Sequence, residues 1–215
     1  MVDLAGSGYY AEPPSGPGRG VLILHSWWGL TPFFRQLADR LAELGYSALA
    51  PDMFAGRQPA TPDDAEATLA AADPNEGAAL VLSSAQALRA RTSDPRQAIA
   101  VIGFSSGASW ALWLSARSPS EVAAAVAFYG SQNIDFIESR SAYLGHFAEF
   151  DSLVSDDEIV EMEAHLHLVH REVVFHRYPG TSHWFFEEDR ALSYDATAAE
   201  LAWDRTVAFL ADQLG

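Results

Sequence analysis

The chain has 215 residues, 49% of them hydrophobic and 12% aromatic, enough for one domain to bury a core without staples. It contains no cysteine, which excludes disulfides, thiolate metal sites and a cysteine nucleophile. Its formal charge is −16, from 29 acidic and 13 basic residues, every basic one an arginine, and such a field opposes nucleic acid, anionic membrane and polyanionic substrates.

Residues Met1 to Gly6 carry neither a basic segment nor an apolar one, so no secretory leader is read there, and no uncharged apolar run is long enough to span a bilayer. With the lack of cysteine, this fits a cytoplasmic location. Tyr9–Ala11 reads as a short edge strand, followed by the turn-rich Glu12–Gly18. Val21–His25 is a continuous apolar strand of the kind covered on both faces in a parallel sheet. The loop Ser26-Trp27-Trp28-Gly29-Leu30 leads to a helix capped by Thr31, with Pro32 at its first position and Gly45 as its stop. Tyr46–Asp52 is the next strand and Phe54–Thr61 a loop. Ala-rich helical sequence follows, broken near Asp73-Pro74-Asn75 and resuming from Glu76 to Arg91.

Beyond the turn at Asp94-Pro95, the run Ala98–Leu112 is a short apolar strand that breaks into Gly103-Phe104-Ser105-Ser106-Gly107 and then into small, helix-tolerant residues. This is the nucleophile elbow of an α/β-hydrolase, a sharp strand-to-helix turn that lifts a serine hydroxyl above the sheet. Gly103 and Gly107 are required because neighbouring backbone crowds the turn. Strands at Val122–Tyr129 and Ala142–Glu149, a helix at Asp156–Val169, a strand at Glu172–Tyr178, a loop at Pro179–His183 and an amphipathic helix at Ala196–Leu214 complete the chain. Strands and helices alternate throughout. One α/β domain over residues 1–215 is predicted, with a doubly wound, mostly parallel sheet and no large lid.

A serine hydroxyl needs a base within hydrogen-bond reach and a third group to orient that base. In this fold both follow the serine, in the order acid then histidine, at the carboxyl ends of later strands. His165, His167 and His170 read as helical, His146 and His176 as lying inside strands. Only His183 falls in a loop after the last strand, so it is taken as the base. Asp151 directly follows an apolar strand and is taken as the acid, ahead of Asp135 and of Asp156 and Asp157, which read as a helix start. Ser106, opening a helix, supplies one oxyanion N–H, and Trp27 in the loop after the first long strand supplies the second. The indoles of Trp27 and Trp28 either pack beneath the next helix or wall the acyl pocket. Trp184 and Tyr129 are further pocket candidates. His167 and His170 would share one helix face while His165 points away, too weak a pattern for a metal, and no cofactor is called for.

In this order the motifs resemble the dienelactone hydrolase family over nearly the whole chain. They are Val21–Leu30 with its helix, Gly45–Phe54, the elbow, Phe128-Tyr129-Gly130, Asp151-Ser152-Leu153-Val154 as a D-x-x-V acid turn, Pro179–His183 and Arg205–Leu210. The resemblance implies an enzyme that opens lactones or esters through an acyl-enzyme with the same triad. It also exposes departures. Enzymes of the family that cleave dienelactone carry a cysteine where Ser105 stands and a glutamate where Ser26 stands. The arginine that holds their substrate carboxylate gives way here to Glu187 and Glu188. A neutral ester or lactone is therefore expected in place of an anionic dienelactone. The rival readings are a non-catalytic ligand-binding protein on the same scaffold, and an acyltransferase or perhydrolase using the same three residues.

Overall fold

The computed structural model describes residues 8–215, so the leader reading at Met1–Gly6 lies outside it. The described elements run β1 (Gly8–Ala11), β2 (Arg19–Leu24), α1 (Pro32–Glu43), β3 (Tyr46–Pro51), α2 (Pro62–Ala71), α3 (Pro74–Arg89), β4 (Ile99–Phe104) and α4 (Ser106–Arg117). They continue with β5 (Val122–Phe128), β6 (Ala142–Phe150), α5 (Asp156–Leu168), β7 (Val173–Ser182) and α6 (Ala196–Leu214). None of these helices is long and apolar enough to cross a membrane.

The strands form one seven-stranded sheet in the order β1-β3-β2-β4-β5-β6-β7. Only β1 is antiparallel, on the edge beside β3; the remaining pairs are parallel. The continuous apolar runs read from the sequence are explained by two buried faces. Side chains alternate across a strand, so Val21 and Ile23 of β2 join one core while Leu22 and Leu24 join the other. The first core also takes Phe34 and Leu41 of α1 and Ala202 and Leu210 of α6. The second takes Leu88 of α3, Leu112 of α4 and Leu166 of α5.

Local signals account for the element ends. Gly45 adopts φ +95 and donates its N–H to Ala42 O, which stops α1. Asp73 accepts from Asn75 N at the start of α3 with Pro74 in the first turn, two residues earlier than the sequence signal at Glu76. Ser155 and Glu158 form a reciprocal capping box at the start of α5.

Two expectations need correction. His170 lies beyond α5 in the left-handed region at φ 58, because the helix ends at Leu168. Residues 179–182 are strand, not loop: β7 continues to Ser182, which pairs with Phe150 after a register shift. Pro179 is tolerated there because β7 is an edge strand, and Gly180 at φ 78 bends it, with its N–H donating to Glu149.

Candidate active site

The elbow at the end of β4 is packed too closely for side chains at its glycines. Ser105 sits at φ 53, ψ −118, a conformation non-glycine residues adopt only where the surroundings enforce it. They do so here from three sides. A Cβ on Gly103 would collide with the carbonyl of Gly107, and one on Gly107 with the carbonyl oxygens of Leu24 and His25. One on Gly130 would collide with the Ser105 carbonyl. The Ser105 N–H donates to Phe128 O at 2.9 Å, pinning the turn to the end of β5.

Parallel strands with crossover helices bring their carboxyl ends to one edge of the sheet, and the three sequence-selected side chains meet there. Ser105 Oγ lies 2.8 Å from His183 Nε2. His183 Nδ1 lies 2.8 and 2.7 Å from the two oxygens of Asp151. Asp151 follows β6, and its Oδ1 also accepts from the N–H groups of Leu153 and Val154 at 2.9 and 3.1 Å. His183 directly follows β7. Both side chains are nearly inaccessible, at 4% and 3% exposed.

Ser106 is the first residue of α4, so its N–H has no acceptor within the helix. Gly29 N–H donates to Ser26 O at 3.1 Å and closes a tight turn with Trp27 at its first central position, which leaves the Trp27 N–H outside that bond. His25 fixes this turn. Its Nε2 accepts from Met53 N at 2.9 Å, so its Nδ1 carries the proton and donates to Ser26 O at 2.7 Å. Burial pushes the His25 pKa down, which keeps the ring neutral.

A cleft of about 230 Å³ opens over Ser105, lined by Ser106, Ser109, Tyr129, Ser131, Leu153, Val154, Glu158 and His183. Of the residues expected to line a pocket, only Tyr129 does so. Trp28 and Trp184 pack with Trp27 as a three-indole cluster, with Trp184 edge-on to His183 at 4.6 Å. Arg190 stacks over Trp28 at 4.6 Å. A second cavity of about 240 Å³ shares Ser131 and Glu158 with the first and extends to Gln132, Phe136, Glu161 and His165. No arginine lines either cavity, and among the described residues no His, Asp and Glu cluster could hold a metal.

Sequence reasoning placed Glu187 where the family's substrate arginine would stand and missed its buried role beside the site. Glu187 is completely buried, accepting from Ser26 Oγ at 2.9 Å and from the Tyr129 hydroxyl at 2.8 Å. Burial pushes its carboxyl from 4.5 up to about 8. The only local signal was its place at the end of the aromatic run Trp184-Phe185-Phe186, whose two phenylalanines are core residues.

Comparison with known proteins gives consistent results across the chain. The "Protein usf" of Aquifex pyrophilus is 32% identical over 217 residues, covering 96% of this chain and 93% of that protein. The carboxymethylenebutenolidase of Rhodococcus opacus is 28% identical, covering 93% and 83%. A dienelactone hydrolase-like promiscuous phosphotriesterase from metagenomic libraries superposes with a TM-score of 0.83 at 23% identity, covering 96% of this chain and 92% of that one, a likeness of fold. The profile of the dienelactone hydrolase family matches residues 7–214. The chain is therefore a member of the dienelactone hydrolase family, an α/β-hydrolase in fold and a hydrolase by family.

Proposed function

We propose that the protein is a serine hydrolase that cleaves small, neutral carboxylic esters or lactones through an acyl-enzyme. The observation that carries this reading is the unbroken relay from Ser105 Oγ through the His183 ring to Asp151, with contacts of 2.8 and 2.7 Å. With Nδ1 donating to Asp151, Nε2 is free to accept the serine proton. His183 takes that proton as Ser105 Oγ attacks the acyl carbon. Asp151 holds the ring in the productive tautomer and stabilises the imidazolium. The N–H groups of Ser106 and Trp27 receive the oxyanion. His183 then protonates the leaving alkoxide, and water, activated by the same imidazole, releases the acid and restores the serine.

The cleft supports a neutral substrate. No arginine lines either cavity to receive a substrate carboxylate, while Glu158 borders both and Glu161 the second. An anionic ester would enter a field already set by the chain's net charge of −16.

The experiment is labelling of the purified protein with a fluorophosphonate probe, followed by peptide mapping, alongside hydrolysis of p-nitrophenyl esters of increasing chain length. Expected is a phosphonyl adduct on Ser105 that disappears in His183→Ala, with ester hydrolysis lost in parallel. A folded protein that takes up no probe, yet binds esters unchanged, would establish a binding module in place of an enzyme. Labelling with negligible hydrolysis, restored by an added alcohol or peroxide acceptor, would establish acyl transfer or perhydrolysis.

A further inference from the structure

One buried carboxyl beside the site has no part in that reaction sequence. Among the described residues Glu187 is the only fully buried Asp or Glu, and no ion pair holds it. Its two hydrogen-bond partners belong to separate parts of the site. Ser26, bonded to Oε2, immediately precedes Trp27 in the turn after β2. Tyr129, bonded to Oε1, follows β5, and its ring lies 4.9 Å from that of His183. Tyr129 is itself held at φ 37, a strained conformation fixed in part by its N–H donating to His146 O at 2.8 Å. A single carboxyl therefore braces the oxyanion turn against the wall of the catalytic imidazole.

We propose that Glu187 is a positioning residue for acyl transfer: as a neutral acid it fixes the Ser26–Gly29 turn relative to His183, and on losing its proton it weakens the oxyanion site. This rests on the serine-hydrolase reading above. The contacts persist in the neutral acid, because one of the two hydroxyls can turn and accept the carboxyl proton. A carboxylate there would have two hydroxyl donors and no cation, leaving a desolvated charge.

Burial is the largest influence on Glu187 and outweighs the hydrogen bonds from Tyr129 and Ser26, which pull its pKa down; Asp189 on the same loop raises it further, and Arg190 opposes it more weakly. Tyr129 is pushed well up by burial and by Glu187 itself, with Asp189 and Asp151 adding to it, so the phenol stays protonated. His25, beside Ser26, is buried and pushed down, and contributes no positive charge. The His183 ring lies 4.9 Å from that of Tyr129. Ionisation of Glu187 would thus add an uncompensated anion beside the turn that receives the oxyanion, and like charges in a low-dielectric site repel strongly.

The test compares the wild type with Glu187→Gln and Glu187→Ala in the full chain. Rates of Ser105 phosphonylation and of p-nitrophenyl acetate hydrolysis are followed from about pH 6 to about pH 10, with thermal unfolding as a check on folding. The wild-type rate is expected to fall above about pH 8. The ratio of the rate at alkaline pH to that at neutral pH should be about threefold or more higher in Glu187→Gln. Glu187→Ala, which deprives both hydroxyls of their partner, should lower kcat by about tenfold or more while KM changes less than about threefold. Variants that match the wild type in both pH profile and kcat overturn the proposal. If Glu187→Ala does not fold, the pH profile of Glu187→Gln decides it alone. A wild type that is not phosphonylated at Ser105 overturns the hydrolase reading and this one together; a labelled wild type with indifferent variants overturns only this one.

Discussion

At the scale of single residues, the proposed reaction divides the site between groups that react and groups that hold them. Asp151 is assigned there to the second kind. Each of its oxygens contacts His183 Nδ1, and Oδ1 is anchored further by two backbone N–H groups, so the carboxylate cannot swing away. Asp151→Asn keeps the shape and the anchoring acceptor but presents an amide that can donate to Nδ1. That would move the imidazole proton to Nε2, where it can no longer accept from Ser105. The expected outcome is a fall in kcat of about 10³- to 10⁴-fold with little change in thermal stability. A steady-state assay and a melting curve check it; a loss under tenfold would mean the carboxylate does not set the tautomer. The stability half of the prediction separates a wrong tautomer from a disrupted site.

At the scale of elements, Ser105 is useful only because β4, α4 and the end of β2 are packed together without room for a side chain. Gly107 lies against the carbonyl oxygens of Leu24 and His25, the last residue of β2 and the first of its loop. These are backbone atoms that cannot rotate aside, so Gly107→Ala must push α4 away from the sheet. Overpacking of this kind costs about 1–3 kcal/mol and more where backbone must move; about 3 kcal/mol is expected in urea unfolding, together with loss of activity. A variant of native stability would show that α4 can shift freely.

This packing also explains what could be read from the sequence. The elbow, Asp151 and His183 were legible because each is set by a local pattern: an apolar strand, then a turn, at a known edge of a parallel sheet. Glu187 was not, because its partners lie 161 and 58 residues away, at Ser26 and Tyr129, and no local pattern reports such contacts. For Trp28 and Trp184 the sequence leaves pocket wall and packing both open, because aromatic character serves either, and the indole cluster they form is the packing outcome. The strand at residues 179–182 was hidden because proline and glycine ordinarily mark turns, a rule that an edge strand relaxes.

At the scale of the whole molecule, buried titratable groups should shape stability as a function of pH, and two of them act in opposite directions. His146 is fully buried between Tyr178 and Thr206, and burial pushes its pKa well below 6.5. The stability tied to keeping it neutral is present above pH 6.5 and is lost as pH falls below that value. Glu187 works the other way. Its carboxyl is raised from 4.5 to about 8, so the folded chain holds a proton that the unfolded chain releases. The corresponding stability is fully present below pH 4.5, declines as pH rises, and stops declining above about pH 8. Below pH 6.5 the two trends oppose each other; between 6.5 and 8 Glu187 acts without that opposition. There the slope for one proton is about 1.4 kcal/mol per pH unit, so unfolding free energy should fall by about 2 kcal/mol across this window and then level off. Glu187→Gln, with no proton to lose, should flatten that slope. Urea titrations at several pH values decide the matter, and parallel slopes for the two proteins would mean that Glu187 is ionised throughout the window. A neutral acid costs stability as pH rises where a glutamine or a leucine would not. Its position between the oxyanion turn and the wall of His183 connects that cost to the chemistry, since perturbed carboxyls concentrate where charge is being managed during a reaction.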